Sequence, residues 1–122
     1  MFVKILKSKL HRARVTQAKL HYPGSIAIDP NLMEAAGIME YEFVLIADLN
    51  NGNRLQTYAI SGEPDSGEIS ILGAAANLIK KDDLVIIFSF GYYTPEQAHQ
   101  LKPKIVTFEE NSFNKVKEII TK

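Results

Sequence analysis

Tyr41-Glu42-Phe43-Val44-Leu45-Ile46-Ala47-Asp48 runs through Leu49 and Asn50-Asn51-Gly52-Asn53 into Arg54-Leu55-Gln56-Thr57-Tyr58-Ala59-Ile60. The first segment is an apolar, β-branched run. The Asn-Asn-Gly cluster suits a tight turn, because Asn and Gly tolerate the left-handed backbone that such turns need. The second segment returns as a strand, so the whole reads as a β-hairpin. This hairpin sets the fold class as mainly β, and the rest of the chain extends it.

On the N-terminal side, residues 3 to 8 alternate only loosely. Arg14-Val15-Thr16-Gln17-Ala18-Lys19-Leu20 has a clearer period of two and reads as one strand. Ser25 to Ile28 is a short apolar strand. Asp29-Pro30 has the form of a helix start, with Asp29 as cap and Pro30 at the first helical position. The short helix over Asn31 to Ala36 stops at Gly37. On the C-terminal side, Gly62 to Gly67 is a polar turn and Ile69 to Leu72 a strand that Gly73-Ala74-Ala75-Ala76 breaks. Leu84 to Phe90 is an apolar run suited to a buried strand. Thr94-Pro95-Glu96-Gln97 opens a brief helix that Lys102-Pro103 ends. Ile105 to Phe108 is a strand, and Phe113 to Ile120 is predicted as a terminal helix. Many short strands with small helices at the turns suggest a small closed or nearly closed barrel, with its connectivity left open.

The 122 residues form a single domain, 1–122, long enough to bury a core without staples. The absence of cysteine removes disulfides, thiolate nucleophiles and zinc–thiolate sites, and fits a reducing compartment. No stretch approaches the roughly 20 apolar residues of a membrane span, and the charged N-terminus is unlike a signal peptide. The expectation is a cytoplasmic protein with no membrane association. Net charge is zero but unevenly spread. Residues 1–24 carry six Lys and Arg and no carboxylate, and residues 25–122 carry eight against fourteen Asp and Glu. A basic strand face without interleaved aromatics does not make a nucleic-acid binder, and none is expected.

The residues most suggestive of chemistry are Gly24-Ser25, within His21-Tyr22-Pro23-Gly24-Ser25-Ile26-Ala27-Ile28-Asp29. The Gly24 carbonyl carries no neighbouring side chain to hinder attack. The Ser25 hydroxyl, one residue on, is placed to turn its own preceding amide into an ester. A Ser-His-Asp hydrolase is disfavoured, since Ser25 lacks a nucleophile elbow. His11 and His21 have no carboxylate at ligand spacing, so no metal is expected.

Lys9-Leu10-His11-Arg12, the Leu20–Asp29 run, Ala35-Ala36-Gly37-Ile38, Asn51-Gly52-Asn53-Arg54, Thr57-Tyr58-Ala59-Ile60, Gly73-Ala74-Ala75-Ala76 and Asp83-Leu84-Val85-Ile86-Ile87 together resemble the pyruvoyl-dependent aspartate 1-decarboxylase family. The resemblance spans roughly residues 1 to 110 and implies a double-psi β-barrel assembled as a homotetramer with active sites between subunits. It implies a zymogen whose autocatalytic cleavage between Gly24 and Ser25 gives chains 1–24 and 25–122. Ser25 then becomes a covalent pyruvoyl group, with neither pyridoxal phosphate nor metal. It further implies a lyase that decarboxylates L-aspartate to β-alanine and CO2 through a Schiff base with that group, serving pantothenate and coenzyme A biosynthesis.

By the same resemblance, Thr57 assists the processing oxyanion and contacts substrate, Tyr58 is the proton donor, and Lys9 and Arg54 bind carboxylates. Gly73, Ala74 and Ala75 offer backbone to the substrate, and His11, His21 and Tyr22 support the site from behind. An accessory processing factor is left open as a partner. The chain departs from the family in having Leu72 where an asparagine commonly precedes Gly-Ala-Ala. Leu72 favours the alternative, an unprocessed, catalytically silent β-barrel acting as a binding or assembly module.

Overall fold

The computed structural model describes residues 1–122. Nine strands and two short α-helices follow in order: β1 (Val3–Arg14), β2 (Gln17–Lys19), β3 (Ser25–Ile28), α1 (Pro30–Ala36), β4 (Phe43–Asp48), β5 (Arg54–Ser61), β6 (Ile69–Leu72), β7 (Leu84–Tyr93), α2 (Pro95–Gln100), β8 (Lys104–Phe108) and β9 (Val116–Thr121). A single 3₁₀ turn, Gly73–Asn77, follows β6.

The β4–β5 hairpin forms as its sequence demands, with Phe43 opposite Tyr58 and Ala47 opposite Arg54. Gly52 turns the chain at φ 78°. All strands join one sheet in the order β2-β6-β3-β5-β4-β7-β1-β8-β9. Only Val15 and Thr16 separate β1 from β2, yet these two strands are six places apart in that order. The sheet therefore curls back on itself, which fits a small barrel. Three of its pairings are parallel: β1 with β8, β2 with β6 and β3 with β5.

Alternation fills the interior. In β4, Val44 and Ile46 point inward and are fully buried, while Phe43 is exposed. They join Leu10, Val15, Ile26, Ile28, Ala59, Ile69, Ile71, Ile79, Val85, Ile87 and Val106 in one continuous core. Helix α1 closes one side with Leu32, Met33 and Ala36. Its ends behave as read from the sequence. The Asp29 carboxylate accepts the Asn31 N–H at 2.9 Å, and Gly37 ends the helix in the left-handed region. Helix α2 opens with a full capping box between Thr94 and Gln97.

Two expectations are corrected. The strand expected over residues 14 to 20 is two strands, because β1 runs from residue 3 and the chain changes partners at Val15-Thr16. A bulge near the end of β1 is absorbed by Arg12 at φ 64°. The helix expected over Phe113 to Ile120 is a loop followed by β9. Val116, Ile119 and Ile120 have helical spacing, but their branched side chains suit a pleated surface equally well. Pairing of Ile119 with Val106 and Ile120 with Ile105 on β8 decides between the two. Asn111 and Asn114, both at positive φ, turn the chain back into that pairing.

Candidate active site

Gly24 lies at the end of an exposed loop, and Ser25 opens β3, a strand buried along its whole length. Only 4% of Ser25 is accessible. β3 is flanked by β6 and β5. Across the antiparallel pair, Leu72 faces Ser25 directly. Across the parallel pair, Ile26 stands level with Ala59. Carried back one and two residues, that register sets Tyr58 level with Ser25 and Thr57 level with Gly24. As successive residues of β5, Thr57 and Tyr58 point to opposite faces of the strand. Tyr58 is 40% exposed, whereas Thr57 lies on the face of buried Val44, its partner on β4.

Gly73 completes the arrangement. It leaves β6 at φ 85°, and a Cβ there would lie 2.7 Å from Gly24 Cα, 2.9 Å from Tyr22 O and 3.0 Å from Gly24 N. The loop before Ser25 therefore rests on a residue that has to be glycine. Ala74 is exposed on the following 3₁₀ turn, and Ala75 packs against the core. Tyr22 is exposed under the Lys19 ammonium, 5.1 Å from its ring centroid, and His21 is exposed beside it. Lys19 is one of the six basic residues of the 1–24 segment. It pairs with Leu72, which pairs with Ser25, so all three occupy one row of the sheet. The period of two over residues 14–20 was the signal for it, but nothing local says that Leu72 is its partner.

The remaining residues stand further away. Arg54 shares the outer face of β5 with Tyr58 but is four residues along, about 13 Å. Lys9 lies on β1 with its Nζ 5.9 Å from the Phe88 ring centroid. Four strand spacings separate β1 from β3, about 19 Å along the sheet. His11 stands opposite Ile86 on the same strand, with Nδ1 buried and unpaired. Burial lowers its pKa, and the charges of Lys9 and Arg12 lower it further, so the ring is held neutral. His11 lines a cavity of ≈ 1070 Å³ between the end of β1 and the β8–β9 hairpin, away from Ser25. That cavity is open and of mixed charge, and the geometry around Ser25 is the better guide to chemistry.

Two acidic groups elsewhere are perturbed. Burial and the neighbouring Asp83 carboxyl push Asp48 up to about 6. Its Oδ2 is buried with no hydrogen-bond partner. Burial raises the Glu42 carboxyl, but hydrogen bonds from Ser89, Lys7 and the Met39 N–H outweigh it and the net shift is downward. No three His, Cys, Asp or Glu side chains come together as a metal site.

Residues 1–116 match the family described as aspartate decarboxylase. Among curated proteins, the aspartate 1-decarboxylase of Acetivibrio thermocellus is 53% identical over 112 residues, covering 92% of this chain and 89% of that protein. That of Clostridium beijerinckii is 50% identical over 119 residues, covering 98% and 94%. That of Lactiplantibacillus plantarum is 50% identical over 112 residues, covering 92% and 86%.

Proposed function

This chain belongs to the aspartate decarboxylase family, and from that premise we propose that it converts L-aspartate to β-alanine and CO2 with a pyruvoyl group made from its own Ser25. What supports the proposal is the pairing of β3 with β5, level at Ile26 and Ala59, a register that continued back one and two residues would set Tyr58 and Thr57 beside Ser25 and Gly24. The residues fit such a group. The seat at Gly73 admits the Gly24 backbone only because no Cβ fills it, and Ser25 is shielded from water.

The Ser25 hydroxyl attacks the Gly24 carbonyl carbon. The C–N bond breaks, the hydroxyl proton passes to the freed amine, and amide becomes ester. The developing oxyanion needs a donor fixed in place, and the Thr57 hydroxyl, level with Gly24, supplies it. β-Elimination at residue 25 then releases Gly24 as a carboxylate. Hydrolysis with loss of ammonia leaves the pyruvoyl group on a chain of residues 25–122. β1 is paired on both sides, to β7 and β8, so the 1–24 piece stays in the sheet after the cut. Its positive charge against the negative larger piece favours the same outcome.

The pyruvoyl group supplies the electron sink that carboxylate loss requires. The protein's own groups bind and protonate. An Arg grips a carboxylate through two parallel hydrogen bonds, and Arg54 takes this role, with Lys9 as second cation. Tyr58 delivers a proton to the substrate α-carbon once CO2 has left. Backbone of Gly73, Ala74 and Ala75 lines the substrate, and His11, His21 and Tyr22 stand behind it. The proposal includes a homotetramer whose sites lie between subunits. The enzyme acts in the cytoplasm and its product serves pantothenate synthesis.

Intact mass of the denatured protein tests the reading. Two fragments divided after Gly24, summing to within about one mass unit of the precursor, are expected, since one water is gained and one ammonia lost. A lasting single species in which Ser25→Ala changes nothing would sink it. Cleavage that starts only when a cell extract is added would assign an accessory factor.

A further inference from the structure

We propose that Gly73 is a positioning residue of the self-cleavage, acting through the backbone of Tyr22 to Gly24 before any substrate is present. The proposal rests on the processing at Gly24-Ser25 set out above. The two glycines differ in what surrounds them. Gly24 has a negative φ, and a Cβ there would meet nothing within 4 Å. Neither space nor backbone conformation demands glycine at the cleavage point. Gly73 is at φ 85°, and the three atoms its Cβ would strike at 2.7–3.0 Å are all backbone. No flexible side chain can yield, so any residue but glycine at position 73 displaces the segment that carries the reacting carbonyl.

The topology explains the contact. Leu72 and Ser25 are partners in the antiparallel β6–β3 pair, and one step further along that ladder Gly73 meets Gly24. The chain must leave the ladder there, and the left-handed turn at Gly73 does so into the 3₁₀ turn Gly73–Asn77. The Gly24 peptide then lies over a bare Cα. Ser25, anchored in β3 between β5 and β6, cannot follow a displaced Gly24. Displacement by a methyl group therefore lengthens the path from the hydroxyl oxygen to the carbonyl carbon. A misplacement of about 1 Å in such a pair costs about 100-fold in rate.

The test compares Gly73→Ala with Gly52→Ala in the full-length chain. Gly52 sits at φ 78° with nothing within 4 Å of its Cβ position, so its variant carries the backbone strain without the contact. Cleavage is followed by mass, and the ester is trapped by brief exposure to hydroxylamine at neutral pH, which cuts an ester at Gly24 but leaves the Gly24–Ser25 amide and the Asn51–Gly52 bond intact. Gly73→Ala is expected to cleave about 100-fold more slowly, with precursor that resists hydroxylamine. Gly52→Ala is expected to cleave like the wild type. Should Gly73→Ala fail to fold, Gly73→Asn replaces it, since Asn tolerates the left-handed region while keeping a Cβ. Gly73 variants that cleave at the wild-type rate, even with decarboxylation lost, would overturn the proposal and restrict Gly73 to substrate contact. A folded variant that accumulates hydroxylamine-labile ester would overturn it as well, by placing the defect after the acyl shift. Wild-type protein that never cleaves would instead overturn the processing on which the proposal depends.

Discussion

Leu72 stands directly across from Ser25 in the β6–β3 pair, and Lys19 stands directly across from Leu72 on its other side. An apolar side chain thus separates the serine from the nearest cation in its row. Leucine offers no donor to the Gly24 carbonyl, where an asparagine would. One preorganised donor at such a carbonyl contributes about 3 kcal/mol to the barrier.

Replacing Leu72 by Asn should therefore speed cleavage, by about 100-fold where the new amide reaches the oxyanion. The check is a time course of precursor mass at constant temperature. An unchanged rate would show that residue 72 does not act on processing.

Tyr58→Phe removes the proposed proton donor while keeping the ring that packs 6.4 Å from Tyr41, centroid to centroid. A lost proton donor should lower kcat by 100-fold or more, as is typical of general acids. KM and cleavage should change little. Steady-state kinetics on the fully cleaved variant decide it, and a loss seen mainly in KM would move Tyr58 from proton transfer to binding.

Asp48 is 2% accessible and faces Asp83, and its carboxyl is pushed from 3.8 to about 6. The folded state binds this proton more tightly than the unfolded one. The resulting stability is present below pH 3.8 and is lost as pH rises through about 6. Asp48→Asn should thus raise Tm at pH 8 by about 4 °C, on the order of 1 kcal/mol, and have little effect at pH 4. The Asn side chain can still accept the Asn50 N–H that Asp48 now accepts at 2.8 Å. Melting curves at the two pH values test this, and equal shifts at both would mean that the carboxyl pair is not the cause.

Glu42 behaves in the opposite sense. Its lowered carboxyl takes an ion pair from Lys7 at 2.9 Å and a hydrogen bond from Ser89. The stability it adds is present above about pH 4.5 and is lost as pH falls through the lowered value. Glu42→Gln should cost about 1 kcal/mol at pH 7, less in acid. Lys7 lies in the 1–24 piece and Glu42 in the remainder, so the variant should also let that piece dissociate more readily from cleaved protein. Gel filtration in mild denaturant reads this out, and retention equal to the wild type would rule out the Lys7–Glu42 pair as a clasp.

Much of the local structure was legible in the chain itself. Asp29-Pro30 and Gly37 bound α1, Thr94 with Gln97 caps α2, and the Asn-Gly turn joins β4 to β5, because caps and turns are settled by atoms a few residues apart. The β9 strand was not, because Val116, Ile119 and Ile120 suit helix and strand alike until Ile105 and Val106 lie beside them. Nor could the chain alone show that Leu72 lies across from Ser25 and Ala59 beside Ile26, that Gly73 meets the Gly24 backbone, or that Lys9 lies four strands away in the order of the sheet. Composition, capping and turn chemistry determined that this is a mainly β chain, and the order of its motifs singled out the Gly24-Ser25 peptide. Only the tertiary structure decided which residues surround that peptide, because register between distant strands follows from packing the whole core at once.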